Sequence, residues 1–183
     1  MRRHVPFVLF LVALGSIAAV ALADEEAATV SEAMFRVNNV WMMVAIFLVF
    51  IMHLGFATLE TGLTQAKNAT NILFKNTSII AIGILTYALM GFALMYPGDS
   101  NGFLGFAGWG LALPEGGESV AYADGNYTYW TDFLFQAMFA ATGATIVSGA
   151  VAERVKLNSF LIFVTLFVAI SYPITGMWKW GGG

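Results

Sequence analysis

Three aromatic side chains stand out as groups that could do chemistry, because the face of an aromatic ring attracts cations. Phe135 and Phe139 lie four residues apart near the start of a long segment without charged residues. This spacing puts both rings on one face of a helix, where they form either a packing pair or the constriction of a pore. Trp180 follows the last apolar segment, in a position that also suits an aromatic anchor at a membrane surface.

Two ionisable residues lie within or at the end of apolar segments. Glu60 ends an apolar stretch and is either a helix-end residue bonded to the neighbouring backbone or an Asn, or part of a proton or ion path. His53 lies on roughly the same face, and a single histidine there favours hydrogen-bonded packing over ligation. Ser148 with His53 as its base would supply the elements of a hydrolase, and the sequence leaves their contact open.

The composition indicates a membrane protein. Of 183 residues, 59% are hydrophobic and 10% are charged, and the mean hydropathy is +0.78, whereas soluble domains carry roughly 25% charged residues. The chain has no cysteine, which excludes disulfides and thiolate metal sites. With a net charge of −3 and no basic stripe, nucleic acid is not an expected partner. No metal site and no cofactor are predicted.

The first 23 residues resemble a secretory signal peptide. Arg2 and Arg3 precede an apolar stretch, and "ALA" at residues 21–23 comes directly before "DEE". This is the order of a charged region, an apolar region and a small-residue cleavage site. We expect cleavage to leave a mature chain of residues 24–183, and the alternative is an uncleaved first membrane helix.

Four later segments are long enough to cross a bilayer, since a spanning helix needs about 20 apolar residues. Backbone groups in lipid must bond to one another, so the predicted fold class is all-α, a polytopic transmembrane helical bundle. The predicted spans cover about residues 40–59, 77–97, 133–152 and 157–178.

The placement of charges predicts the topology. Lys67 and Lys75 follow the first span, and Arg154 and Lys156 follow the third, whereas acidic residues dominate the other connections. The positive-inside rule therefore puts both basic linkers in the cytoplasm. The mature N-terminus and the loop 98–130, which is rich in glycine and acidic residues, are expected outside.

Several stretches resemble the Amt/MEP/Rh ammonium transporter family. They are "GFATLETGLTQAKNATNILFKN", "FLFQAMFAATGATIVSGAVAERVKLNSFLIF" and "YPITGMWKWGGG", in order and at family-like spacing. The resemblance implies a non-enzymatic ammonium or ammonia transporter of about eleven spans, of which this chain is the N-terminal part with four. It also implies a multi-pass protein of the cell membrane, a homotrimer, and a PII-type regulatory protein at the cytoplasmic face.

The same resemblance assigns the three rings. Trp180 would face an outer vestibule that recruits ammonium, Phe139 would line its floor and gate the pore, and Phe135 would support Phe139. The family's pore histidines belong to later spans, and neither His4 nor His53 lies in a matching motif. Lys179, next to Trp180, is expected to point to water. The alternatives are a membrane ammonium sensor that feeds an output domain, and an assembly fragment without transport of its own.

Overall fold

The computed structural model describes residues 5–182, and the side chains of residues 31–182. All regular structure in this part of the chain is helical, which confirms the predicted fold class. The α-helices are Val5–Leu63, Ala69–Thr86, Phe92–Met95, Tyr129–Ala150, Leu157–Leu166 and Tyr172–Trp180. Short 3₁₀ turns cover Ala66–Asn68 and Ala123–Gly125, and π-helical segments cover Tyr87–Gly91 and Phe167–Ser171.

Four continuous helical stretches among the described residues are long and apolar enough to cross a membrane. We call them span 1 (Ser31–Leu63), span 2 (Ala66–Met95), span 3 (Tyr129–Ala150) and span 4 (Leu157–Trp180). Four helices of spanning length are thus found, as predicted. Spans 1, 2 and 3 begin earlier than the predicted bounds, whereas spans 2 and 3 each end two residues before them. The predicted signal peptide, residues 1–23, lies outside the residues whose side chains are described.

Span 3 packs against spans 1 and 2 along a surface of small residues. Its buried side chains include Ala137, Ala140, Ala141, Ala144, Thr145 and Ser148, all without solvent exposure. Span 2 comes close at Gly83, where an added Cβ would lie 2.9 Å from the Cβ of Ala141. Small residues bring helix backbones close together in membranes, so this surface makes span 3 the centre of the bundle.

The second span begins earlier than the sequence indicated. Lys75 was expected in a cytoplasmic linker, but it lies inside the helix Ala69–Thr86 and is only 8% exposed. Its charge can be buried because Glu60 of span 1 is its partner in an ion pair, with Nζ 3.1 Å from Oε2. The connection between spans 1 and 2 is therefore short, and Lys67 lies in the turn Ala66–Asn68 that begins span 2.

The connection between spans 2 and 3 is irregular, as predicted, apart from the turn Ala123–Gly125. Hydrogen bonds to its backbone attach it to two of the helices. The amide of Ala107 donates to the carbonyl of Ala93 at 3.0 Å, which is one of the last carbonyls of span 2 and so has no partner within the helix. Trp178 of span 4 donates from Nε1 to the carbonyl of Phe103 at 2.8 Å, so this loop is attached to both spans.

Candidate functional site

Phe135, Phe139 and Trp180 line one cavity of about 530 Å³. The rings of Phe135 and Phe139 have centroids 4.8 Å apart and are tilted by 50°, and Phe139 is 37% exposed. The sequence had placed these three rings together, and the structure brings them together. We call this space the aromatic cavity. The remaining lining comes from Met42, Tyr96, Tyr127, Asp132, Gln136 and Tyr172.

Span 3 supplies both a carboxylate and an amide to the aromatic cavity. Asp132, Phe135, Gln136 and Phe139 line it together, because positions i, i+3, i+4 and i+7 share one helix face. The helix begins just before them, where the Thr128 side chain accepts a hydrogen bond from the amide of Thr131. This is an N-cap, and it places Asp132 in the first turn, where the helix dipole favours a negative charge.

Hydrogen bonds hold the polar side of the cavity in place. The Tyr122 hydroxyl donates to Asp132 Oδ2 at 2.9 Å, and Gln136 Nε2 donates to the Tyr96 hydroxyl oxygen at 2.9 Å. Burial first, and then the charge of Asp132, raises the pKa of the Tyr96 and Tyr127 hydroxyls above the ordinary value of 10. These phenols therefore stay neutral, and Asp132 is the acidic residue of the cavity lining.

Asp132 was not among the site residues predicted from the sequence. The seven-residue spacing from Asp132 to Phe139 would have indicated that both side chains lie on one helix face, provided that the helix was known to begin at Tyr129. The sequence interpretation began that helix at residue 133, which left the carboxylate in the preceding loop.

Trp180 is the last residue of span 4 and is 64% exposed. Lys179 is exposed, as expected, but its Nζ lies 5.4 Å from the centroid of the Trp180 ring. This is within cation–π distance. One face of the ring at the aromatic cavity thus already has a cation above it.

A buried polar cluster lies toward the other end of the bundle. Glu60 Oε2 accepts hydrogen bonds from Ser148 Oγ at 2.9 Å and Asn76 Nδ2 at 3.2 Å, besides its ion pair with Lys75. Lys75 Nζ also donates to the Ser148 carbonyl at 3.2 Å and lies 5.2 Å from the centroid of the Phe160 ring. We call these residues the Glu60 cluster. It joins all four spans and supports the structural interpretation of Glu60, bonded to an Asn among others.

Ser148 and His53 have separate partners. The Ser148 hydroxyl donates to Glu60, while His53 Nδ1 lies 3.1 Å from the carbonyl oxygen of Val49 and 3.3 Å from that of Phe50. A nucleophile needs its base within hydrogen-bond reach, so these contacts disfavour a hydrolase. In residues 31–182, no group of three or more His, Cys, Asp or Glu side chains could hold a metal ion.

Beyond the Glu60 cluster, the two short linkers touch each other. Glu153 Oε1 accepts hydrogen bonds from the Gln65 amide at 2.8 Å and from Asn68 Nδ2 at 2.7 Å. These bonds hold the pKa of Glu153 below its ordinary value. Lys67, Arg154 and Lys156 surround this contact in the sequence.

Comparison with known proteins decides the family. The family model described as the Ammonium Transporter Family matches residues 40–183, which is most of the chain. The chain belongs to this family.

Individual relatives agree with this family assignment. Ammonium transporter Amt2 of Archaeoglobus fulgidus is 44% identical over 147 residues, which cover 80% of this chain and 30% of Amt2. Among solved structures, a "Sensor Amt Protein" matches with a TM-score of 0.69 and 34% identity, over 81% of this chain and 35% of that chain. Mep2 of Candida albicans matches with a TM-score of 0.66 and 26% identity, over 80% and 32%.

The chain spans about a third of the length of the curated relatives that it matches. Membership nevertheless confirms the resemblance seen in the sequence, and family members that the chain matches are named as ammonium transporters. The total of about eleven spans and the roles of Phe135, Phe139 and Trp180 stay predictions.

Proposed function

We propose that the whole protein transports ammonium or ammonia across the cell membrane, and that the aromatic cavity is its outer recruitment site. The observation that carries this proposal is the grouping of Phe135, Phe139 and Trp180 with the carboxylate of Asp132 around one cavity. Family membership supports the substrate class.

The lining suits a small cation that is losing its water. Removing water from an ion in apolar surroundings is costly. Each ring face within about 6 Å contributes roughly 0.5–2 kcal/mol by cation–π attraction. This offsets only part of the dehydration cost, so the nearby Asp132 carboxylate is needed to concentrate cations at the mouth. Phe139, the residue farthest along span 3 from Asp132 in this group, is proposed as the gate.

A chimera tests the proposal. Residues 40–183 would replace the matched segment of Archaeoglobus fulgidus Amt2, and methylammonium uptake would be measured in cells that lack their own ammonium transporters. We expect saturable uptake, and an Asp132→Asn change should raise KM roughly 10-fold, because a charged cleft raises the local concentration of a counter-ion substrate.

Asp124→Asn is the matched control, since Asp124 is an exposed carboxylate in the loop that precedes span 3 and does not line the aromatic cavity. Its KM should stay within about twofold of the parent at moderate salt, where exposed charges are screened. Equal effects of the two substitutions, or a chimera that reaches the cell surface but takes up nothing, would contradict the proposal.

The proposed orientation places the mature N-terminus and the aromatic cavity outside, with Lys67, Arg154 and Lys156 in the cytoplasm. Because the chain has no cysteine, single substitutions Lys67→Cys, Lys156→Cys and Asn126→Cys report the topology directly. An impermeant maleimide added outside intact cells should label only the cysteine at position 126. Labelling at position 67 would show that the chain has the opposite orientation.

The proposal also includes three properties that the family resemblance implies for this protein. These are a cleaved signal peptide over residues 1–23, a homotrimeric assembly, and a PII-type regulatory protein. The PII-type protein would bind where Glu153 joins the two linkers through its bonds to Gln65 and Asn68.

We propose that the chain is a fragment of a longer protein and does not conduct ammonium alone. Uptake by residues 1–183 at the rate of the chimera would contradict this.

A sensor is the second candidate function. The similarity to a "Sensor Amt Protein" favours it. The aromatic cavity would then bind ammonium in order to signal rather than to transport. Ammonium binding without saturable uptake in the chimera, together with a signalling domain encoded downstream of residue 183, would support the sensor over the transporter.

A further inference from the structure

The direction of the Trp180 ring depends on what holds the end of span 4. Trp180 is the last residue of this helix and is 64% exposed, and helix ends fray. Its cation–π partner is the adjacent Lys179, which is exposed as well and therefore cannot hold the helix end in place. The ring keeps a fixed direction at the aromatic cavity only if other groups fix the last helical turn.

One set of contacts fixes this turn against the end of span 2. The Gly181 amide donates to the carbonyl of Met177 at 2.9 Å, and Met177 has no solvent exposure. A Cβ added at Gly181 would overlap the carbonyl oxygen of Met95, and one added at Gly176 would lie 2.7 Å from Met95 Cε. These close approaches hold the side of the turn that faces span 2.

Trp178 holds a second side of the same turn. Its Nε1 donates to the carbonyl of Phe103 at 2.8 Å, and the centroids of the two rings are 5.3 Å apart. With 3.6 residues per turn, side chains two positions apart point about 200° apart around a helix, so Trp178 and Trp180 lie on nearly opposite sides. Trp178 accordingly does not line the aromatic cavity. A group that holds Trp178 fixes the rotation of the turn about the helix axis, and with it the direction of Trp180.

The carbonyl to which Trp178 donates is itself held in place by Asn101. Asn101 Oδ1 accepts hydrogen bonds from the amide of Phe103 at 2.9 Å and from the amide of Leu104 at 2.7 Å. An asparagine side chain that bonds the backbone two residues further on forms an Asx turn, and this turn fixes the local backbone around Phe103. The acceptor of the Trp178 bond therefore has a defined position.

The segment that follows Phe103 is attached to span 2. The Ala107 amide donates to the Ala93 carbonyl at 3.0 Å, and the Gly110 amide donates to the Leu89 carbonyl at 2.7 Å. Leu89 belongs to a π-helical segment, in which the α-helical bonding pattern is interrupted. Span 2, the connection between spans 2 and 3, and the last turn of span 4 are thus joined by hydrogen bonds into one framework.

We propose that Trp178 is a positioning residue, which holds the last turn of span 4 in the rotation that directs the Trp180 ring at the aromatic cavity, and that Asn101 supports it by fixing the Phe103 carbonyl. The inference rests on the proposed function, because it assumes that Trp180 recruits the cation. It adds that recruitment depends on side chains that do not line the cavity. The competing interpretation is an anchor at the membrane surface, which would stabilise the fold without directing Trp180.

Uptake by the chimera separates the two interpretations. Trp178→Phe keeps an aromatic ring and removes the indole N–H, so KM for methylammonium should rise roughly 2- to 12-fold, the effect of one hydrogen bond, with the maximal rate unchanged. In a Trp180→Leu background the same substitution should not change KM further, because residues that act through one another are not additive. Asn101→Ala should act like Trp178→Phe. Asn101→Asp keeps an acceptor for both amides and should leave KM close to that of the parent.

Trp130→Phe is the matched control. Trp130 also donates from its indole nitrogen to the connection between spans 2 and 3, to Glu118 Oε1 at 2.9 Å, but it lies outside span 4 and the lining of the aromatic cavity. This substitution should leave KM unchanged. Equal effects of Trp130→Phe and Trp178→Phe, or a Trp178→Phe effect that persists in full in the Trp180→Leu background, would overturn the proposal.

A second readout follows the Trp180 ring without uptake. The full chain has five tryptophans, which fluorotryptophan labelling makes visible to fluorine NMR in phospholipid bilayers, and the Trp180 resonance is the one that Trp180→Leu removes. Asn101→Ala changes no aromatic ring, yet it should shift or split this resonance, whereas Asn101→Asp and Trp130→Phe should not. A Trp180 resonance that Asn101→Ala and Trp178→Phe both leave in place would overturn the positioning role. An unchanged KM in the Trp180→Leu chimera would instead contradict the proposed function, and the fluorine spectrum would then decide the positioning role by itself.

Discussion

The ammonium group of Lys179 lies 5.4 Å from the centroid of the neighbouring Trp180 ring. Both residues are exposed, and Trp180 also lines the aromatic cavity. A ring face that already has a lysine above it is less available to a cation from solution, and the lysine charge repels that cation as well. We therefore expect Lys179 to compete with the proposed ligand for Trp180.

Removing this competitor should strengthen recruitment. In the chimera described above, we expect Lys179→Met to lower KM for methylammonium about 2- to 5-fold, which corresponds to an exposed cation–π contact of roughly 0.5–1 kcal/mol. Lys156→Met removes an equal charge from the linker before span 4 and should leave KM unchanged. A KM that rises in Lys179→Met would show that this lysine supports the ring rather than competes for it.

Replacing the ring itself should have the opposite effect. Trp180→Leu keeps an apolar side chain but loses the aromatic face, so we expect a rise in KM of about 2- to 30-fold, equivalent to roughly 0.5–2 kcal/mol. The measurement is concentration-dependent methylammonium uptake. Trp41→Leu is the comparison, because Trp41 is 74% exposed on span 1 and does not line the aromatic cavity. If Trp180→Leu lowered only thermal stability, Trp180 would be a membrane-surface anchor.

Phe139 should behave differently from Trp180. As the proposed gate it blocks passage more than it binds, so Phe139→Ala should change the maximal uptake rate or let larger amines through, with a smaller effect on KM. Phe163→Ala serves as its control, since the two phenylalanines are similarly exposed, at 37% and 40%, and Phe163 is absent from the cavity lining. Equal rate changes in both variants would argue for general loosening of the bundle.

The sequence was sufficient for the elements and insufficient for some of the contacts that hold them together. Four apolar runs predicted four spans, because lipid allows few alternatives to helices. Lys75 is an example of a contact that the sequence did not predict. A lysine near the end of an apolar run favours a linker, and only the packing of span 1 against span 2 reveals that Glu60 neutralises it.

At the candidate site, too, some residues could be predicted from the sequence and others could not. Phe135, Phe139 and Trp180 could be grouped from their motifs, and they line one cavity. Asp132 was missed because the start of span 3 was placed four residues late, and helix starts depend on caps such as Thr128. The position of Lys179 over Trp180 depends on side-chain conformation, about which the sequence carries no signal.

The ion pair between Glu60 and Lys75 should be costly to break on one side only. Lys75→Met leaves a buried carboxylate without its cation, and we expect a loss of about 3–5 kcal/mol in the free energy of unfolding. Glu60→Gln combined with Lys75→Met removes both charges and should recover a large part of that loss. The measurement is denaturant unfolding of the detergent-solubilised chain, analysed as a double-mutant cycle.

An exposed pair provides the reference for that cycle. Arg36 and Glu32 form an ion pair one helical turn apart on span 1, with both side chains more than half exposed. Arg36→Met should cost about 0.3–0.5 kcal/mol, as for other exposed helix pairs. A similar cost for Lys75→Met would mean that solvent reaches the Glu60 cluster and that it contributes little to joining the spans.

The contact between the two linkers should respond to acid in a defined direction. Glu153 is fully exposed, yet hydrogen bonds from Asn68 and from the Gln65 amide lower its pKa below the ordinary value of 4.5. A group whose pKa is lower in the folded state stabilises that state above its unfolded pKa. The stabilisation is lost as pH falls through the folded pKa. We therefore expect the Gln65 amide resonance in NMR to be constant from pH 8 down to about pH 5 and to titrate below the ordinary glutamate value. Glu153→Gln should abolish this titration, because no carboxylate remains. A Gln65 amide that titrates at or above pH 4.5 would show that the linkers are not joined by this carboxylate, and the proposed surface for a regulatory partner would lose its support.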